Sequence, residues 1–117
     1  MSDVAIKAIY ASVVEDEGQL FIGFAAGEEA DEPYILFRQA VEGGPIWFEV
    51  SDETLGADDA IELVRRDAKG LTLLVRPEKV AKIGWAREIS VKLHEKTENA
   101  EEAVAALREM LGPIFEA

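Results

Sequence analysis

The chain has 117 residues, of which 49% are hydrophobic and 31% are charged, a mixture typical of one folded globular domain rather than of a disordered segment. It contains no cysteine, which excludes disulfide bonds, thiolate metal ligands and a cysteine nucleophile. Its 24 acidic and 12 basic side chains give a net charge of −12 at pH 7, and a field of this sign disfavours nucleic acid and favours basic proteins as partners. On charge alone, solubility is an equally good interpretation.

The start of the chain and its hydropathy predict a cytoplasmic location. Residues 1–7 lack the basic segment followed by an apolar run that is typical of a secretory signal. No apolar run approaches the roughly 20 residues that a membrane-spanning helix needs. We therefore expect no membrane partner.

Alternation of apolar and polar residues predicts strands along most of the chain. Residues 46–75 are predicted to form a three-stranded antiparallel meander that organises the other elements, with an acidic loop at 51–59 and a tight turn at 67–70. In chain order, the predicted strands are residues 4–14, 19–25, 34–41, 46–50, 60–66, 71–75 and 88–94.

Two helical segments are predicted in the second half of the chain. Residues 77–84 begin with proline and end with glycine, which is the pattern of a short helical turn. Apolar residues at helical spacing predict a C-terminal helix from about residue 98 to 111, with Asn99 and Glu102 at the spacing of a capping box. The predicted fold class is α+β: an antiparallel sheet of about six to seven strands in a single domain, with the C-terminal helix packed on one face.

The residue types that carry most enzymatic chemistry are missing or isolated. His94 is the single histidine, is predicted to point outward from a strand, and cannot build a zinc site alone. No serine has the spacing of a catalytic triad, and no glycine-rich phosphate loop is present. The carboxylates of the acidic loop lack the alternating ligands and closing glutamate of a calcium loop, so a solvated loop is the favoured interpretation. We therefore predict no catalytic residue, no cofactor and no metal, and a protein that is not an enzyme.

The two tryptophans have different predicted positions. The apolar residues Ile46, Phe48 and Val50 are predicted to face the core, which places Trp47 on the opposite face of its strand. There it is either an interface anchor rimmed by charge or a core residue under partial cover, and both interpretations stay open. Trp85 follows the short helical turn and is predicted to plug one end of the sheet.

Negative charge is concentrated in the first half of the chain. Residues 1–64 hold fifteen acidic and two basic side chains, a net charge of −13, whereas residues 65–117 hold nine acidic and ten basic ones. An acidic surface speeds encounter with a basic partner and competes for the contacts that this partner makes to nucleic acid. We therefore place the partner-binding surface on this half, and its predicted residues are Trp47, Asp52, Glu53, Asp58, Asp59 and Glu62.

The order of elements over residues 34–115 resembles a known family. The aromatic strand Trp47–Val50 runs into an acidic, glycine-containing loop, and residues 61–73 follow as a strand pair with a short turn. Residues 77–84 resemble the family's short helix bounded by proline and glycine, and an alternating strand and a helix that ends at residues 111–115 complete the order. This pattern resembles family ten of the predicted immunity proteins of bacterial polymorphic toxin systems.

The resemblance implies a small intracellular α+β protein that binds a cognate toxin domain and blocks it. It transfers no specific binding residue and carries no invariant catalytic signature. Together with the charge distribution, it makes toxin neutralisation through an acidic surface the leading interpretation, with a basic domain such as a nuclease as the partner.

Two other classes of function stay open from the sequence. A small-molecule or peptide carrier would use a concave apolar pocket on the less covered face of the sheet. A structural domain that oligomerises would use an exposed strand edge. The oligomeric state and the strand order are not determined by the sequence pattern.

Overall fold

The computed structural model describes residues 3–29 and 31–116. These residues form nine strands, one α-helix and two short 3-10 helices at Pro77–Ile83 and Gly112–Ile114. The α-helix is α1 (Ala100–Leu111), and the strands are β1 (Val4–Asp16), β2 (Gln19–Ala25), β3 (Tyr34–Ala40), β4 (Trp47–Val50), β5 (Gly56–Asp58), β6 (Ile61–Asp67), β7 (Gly70–Val75), β8 (Glu88–Glu98) and β9 (Phe115–Glu116).

All nine of these strands belong to one sheet, in the order β5-β4-β3-β2-β1-β8-β7-β6-β9. Neighbouring strands are antiparallel except for two parallel pairs, β1 with β8 and β6 with β9. The α+β class and the C-terminal helix are therefore confirmed. The sheet has more strands than the predicted six to seven, and it is mixed rather than antiparallel throughout. The two additional strands are β5, inside the predicted acidic loop, and β9, which follows the helix.

The predicted central meander is wrong as a unit. Strands β6 and β7 do pair through a tight turn, in which Asp67 Oδ1 accepts hydrogen bonds from Lys69 N (2.7 Å) and Gly70 N (3.1 Å). Strand β4, however, pairs with β3 and β5 and is not a neighbour of β6. The reason is β5, which occupies the edge of β4 that the meander would have given to β6.

The sheet curls so that its two ends approach each other. Only residues 59 and 60 separate β5, at one end of the strand order, from β6, which lies next to the other end. Backbone hydrogen bonds hold this crossing, because Asp59 N donates to Ile46 O (2.7 Å) and Arg76 N donates to Ala60 O (2.8 Å). One face of the sheet is enclosed by the curl and carries the core, while the other face points outward.

Helix α1 packs on the enclosed face. It contacts β1, β2 and β9, and its side chains Val104, Leu107 and Leu111 are buried, as predicted. On the sheet, the fully buried rings of Phe37 and Phe48 have centroids 5.0 Å apart. Helix and sheet side chains form one hydrophobic cluster, so the helix and the sheet stabilise each other.

The start of α1 differs from the predicted capping box. Asn99 has a left-handed backbone (φ 59°), and its side chain makes no hydrogen bond to the first turn of the helix. Its amide Nδ2 instead donates to Ala11 O at 3.2 Å. The asparagine therefore ties the helix start to β1.

Strand β8 extends to Glu98, beyond the predicted end at His94, because it contains an irregularity. The register between β1 and β8 shifts after Ala8. Thr97 bridges the irregular segment, since its Oγ1 donates to Ala8 O (2.8 Å) and accepts from His94 N (2.8 Å). The strand continues past the bulge because this hydroxyl satisfies backbone groups that the ladder leaves unpaired.

Candidate protein-binding surface

A row of side chains crosses the outward face of five neighbouring strands. The strand register places one residue from each of β1 to β5 side by side. Each member is one position away from a row that includes buried Phe37 and Phe48, so it points away from the core. We call it the Trp47 row, and its members are Val14, Phe21, Arg38, Trp47 and Asp58.

Trp47 is held in one orientation on this outward face. Its indole Nε1 donates a hydrogen bond to Glu49 Oε1 (2.8 Å), and Arg38 Cζ lies 5.3 Å from the ring centroid. The ring lies against Gly56, where an added β-carbon would be only 2.4 Å from Trp47 Cζ2. Trp47 is half-buried, and of its two predicted positions the structure gives the outward one. The glycine matters because any side chain at position 56 would displace the ring.

Glu49 is a buried carboxylate next to the indole. It is only 6% exposed, although strand alternation places it on the outward face. It accepts hydrogen bonds from Trp47 Nε1 and from the Tyr34 hydroxyl, so each of its oxygens has a donor. Sequence reasoning missed Glu49 and Tyr34, and the signal that identifies them is the β3–β4 register, which brings the two residues into diagonal contact.

The Tyr34 hydroxyl remains a hydrogen-bond donor at ordinary pH. Burial raises the pKa of Tyr34 well above its usual value of 10.0, and the hydrogen bond and negative charge of Glu49 raise it further. The charges of Asp52 and Glu53 act in the same direction. The acidic loop therefore lies close to the Tyr34–Glu49 pair.

We expect the free energy of unfolding to fall as pH rises above 10.0, the ordinary tyrosine pKa. Folded Tyr34 keeps its proton while the unfolded chain releases it, so a rising pH favours the unfolded state. Tyr34→Phe should make this decline shallower in urea denaturation at a series of alkaline pH values. Identical slopes for the Tyr34→Phe variant and the wild type would contradict the assignment.

The four predicted loop carboxylates differ in their contacts. Asp52 Oδ1 accepts hydrogen bonds from Thr54 N (2.8 Å) and Thr54 Oγ1 (2.7 Å), which lower the pKa of Asp52. Asp59 Oδ1 accepts from the backbone N–H just before β4 (3.1 Å). Within the described residues, Glu53 and Asp58 are exposed and make no side-chain hydrogen bond. These two are therefore available to a partner, and Asp58 belongs to the Trp47 row.

Glu62 and Trp85 are not part of the Trp47 row. Glu62 is exposed on β6 and lines a groove together with Trp85. Trp85 is 74% exposed, so the prediction that it plugs one end of the sheet is wrong. The backbone gives the reason, because Gly84 (φ 64°) and Trp85 (φ 66°) are both left-handed and form an exposed turn between the buried residues Ile83 and Ala86. Holding a bulky residue in this conformation costs on the order of 1–3 kcal/mol.

Comparison of the chain with protein-family models, curated proteins and solved structures finds no match. The likeness to the immunity proteins therefore stays a prediction from the residue pattern. Within residues 3–29 and 31–116, no group of three or more His, Cys, Asp or Glu side chains is arranged to hold a metal ion. No helix in this part of the chain is both long and apolar enough to cross a membrane.

Proposed function

We propose that the protein is a non-enzymatic binding protein that recognises a basic protein domain through its outward acidic surface, and that this domain is a cognate bacterial toxin, which it neutralises. One observation carries the proposal. The indole of Trp47 is fixed on the outward face between Arg38 and Glu49, and the exposed carboxylate of Asp58 lies beside it in the register. An anchored aromatic ring with negative charge at its edge is the composition expected of a contact surface for a basic partner.

A tryptophan that is already held has little freedom left to lose on binding. The Nε1–H of Trp47 donates to Glu49, and the ring packs against Gly56, which has no side chain to displace it. A partner that covers the ring removes apolar area from water without stripping a polar atom of its hydrogen bond. Because the ordering cost is small, more of the contact energy appears as affinity.

The surrounding carboxylates act mainly on the rate of association. Glu53 and Asp58 are exposed, and charges of this kind are screened over about 10 Å at 0.1 M salt. They draw a basic domain toward the surface and contribute less once the complex has formed. Asp52 and Asp59 add negative charge that their own hydrogen bonds hold in place.

A toxin domain that acts on nucleic acid fits this surface well. Such a domain needs lysine and arginine side chains for the phosphate backbone, and these are the groups that an acidic surface attracts. A protein that covers them with carboxylates competes directly with the toxin's substrate. The resemblance of residues 34–115 to immunity proteins points to the same class of partner.

The test is a kinetic measurement of binding to the toxin domain encoded beside this gene, by surface plasmon resonance at two salt concentrations. The double variant Glu53→Lys/Asp58→Lys should slow association by about tenfold or more at low salt and less at high salt. Glu95→Lys/Glu109→Lys makes the same change in net charge on other exposed residues and should slow association much less. Trp47→Ala should instead speed dissociation.

Three outcomes would count against the proposal. Salt-independent association, or equal rates for the two double variants, would place the interface elsewhere on the molecule. Absence of binding to the neighbouring gene product would remove the toxin as the partner.

A further inference from the structure

A groove of about 470 Å³ lies beside β6, β7 and the first 3-10 helix, on a part of the surface that the Trp47 row does not include. Its volume falls within the roughly 300–1,000 Å³ of pockets that receive ligands or side chains. We call it the Trp85 groove, and it is lined by apolar Leu74, Pro77 and Val80 together with Trp85, Glu62 and Arg87.

Trp85 combines two features that are each unfavourable in the isolated chain. It is 74% exposed, which leaves a large apolar ring in water. Its backbone has a φ of 66°, a conformation that is unfavourable for a bulky residue. Strain of this kind persists where a function requires it, and exposed tryptophan is a frequent anchor of interfaces. Trp85 is therefore shaped to insert into a partner surface.

The groove contains both halves of two complementary pairs. It offers an exposed aromatic ring and, next to it, an apolar hollow that can receive one. It also presents a carboxylate, Glu62, and a guanidinium, Arg87. Under two-fold symmetry a surface patch meets an identical patch, so it must carry its own complement. The Trp85 groove meets this condition for both shape and charge.

We propose that the Trp85 groove is the interface of a symmetric homodimer. Trp85 of each chain inserts into the apolar hollow of the second copy, and Glu62 of each chain pairs with Arg87 of the other. The main chain at Arg87 is held in place, because its backbone N–H donates to Asp3 Oδ2 (2.8 Å). The inference goes beyond the proposed function and uses no residue of the Trp47 row. It assigns Glu62, which the sequence placed on the acidic surface, to the dimer instead.

The first test is sedimentation equilibrium of the full chain up to about 1 mM, a concentration at which even a weak dimer is populated. The wild type is expected to form a dimer, and Trp85→Ala should weaken the dimer by about 30-fold or more. Val41→Ala is the control, because Val41 is also an exposed apolar residue (57%) but does not line the groove. A wild type that stays monomeric, or a dimer that Trp85→Ala leaves intact, would overturn the proposal.

The second test uses charge reversal to identify the contact itself. Glu62→Arg places two arginines opposite each other across the two-fold axis, and Arg87→Glu places two glutamates there, so each variant alone should be monomeric. Mixed together, the two variants restore both charge pairs and should form a heterodimer, which native mass spectrometry distinguishes by mass. Both side chains are exposed, so each variant is expected to fold, and circular dichroism checks this. A mixture that contains no heterodimer would rule out the Glu62–Arg87 contact.

Discussion

Replacing Gly70 by alanine is expected to lower the free energy of unfolding by more than about 3 kcal/mol, because backbone strain and overpacking each cost about 1–3 kcal/mol and here they combine. Gly70 has a φ of +149°, which L residues with a side chain rarely adopt. An added β-carbon would lie 2.0 Å from Val91 O and 2.8 Å from Leu93 N. Both are backbone atoms of β8, so no side-chain movement relieves the collision. Urea denaturation measures the loss.

Gly43→Ala is the control that separates backbone strain from collision. Gly43 also has a positive φ, +109°, but nothing lies within 4 Å of an added β-carbon. The free energy of unfolding of the control variant should therefore fall only by the cost of backbone strain, about 1–3 kcal/mol. Equal losses for the two variants would show that β7 and β8 are not packed as closely as described.

Leu107→Ala is expected to cost about 2–5 kcal/mol, the range for a large apolar side chain removed from a core. Leu107 is fully buried where α1 packs on β1 and β2. The strands are held by their own backbone hydrogen bonds, so they cannot collapse into the space that the smaller side chain leaves. The expected decrease in the free energy of unfolding is therefore the sum of two costs, the lost burial of apolar surface and the cavity that remains. A thermal or urea melt measures it.

Glu109→Ala is the matched control on the exposed side of the same helix. It also removes a side chain down to the β-carbon, but it leaves no cavity, and its effect should stay within about 0.5 kcal/mol. If Leu107→Ala changed stability as little as Glu109→Ala, α1 would not be docked on the sheet.

Most strands could be predicted because their alternation is bounded by clear turns. β2 begins and ends at the predicted residues 19 and 25, since Gly18 precedes it and the acidic, proline-containing sequence of residues 27–33 follows. The first 3-10 helix likewise follows from its proline and its glycine. β5 could not be predicted, because Gly56 and Asp58 are poor strand formers and become a strand only through pairing with β4.

Strand order was beyond the reach of the residue pattern. Alternation states which side chains face the core, but it does not state which strand lies beside which. A meander is the simplest arrangement of consecutive strands. It fails here because residues 59 and 60 connect β5, at one end of the strand order, to β6, which is the second strand from the other end. The parallel β1–β8 pair joins residues far apart in sequence, and no local signal marks it.

The candidate surface was predictable in part. The strand face on which Trp47 lies and the exposure of Glu53 and Asp58 follow from local alternation and turn composition, whereas the sequence left open whether that face is covered. The burial of Glu49 could not be predicted, because it depends on Tyr34 of the neighbouring strand. The exposure of Trp85 could not be predicted either, because it depends on a backbone conformation that tryptophan rarely adopts.

The parallel β1–β8 pair also constrains how fast the chain can fold. Within β1 to β5, and within β6 to β8, each strand pairs with the next strand in the sequence. Each group can therefore form by closing short loops. The groups join in the pairing of Val4–Ala8 with Ile89–Leu93, which closes a loop that spans most of the chain. Folding slows as such distant contacts dominate, so the docking of the two groups is the expected slow step. Until it occurs, the facing edges of β1 and β8 are open and can exchange strands with another copy.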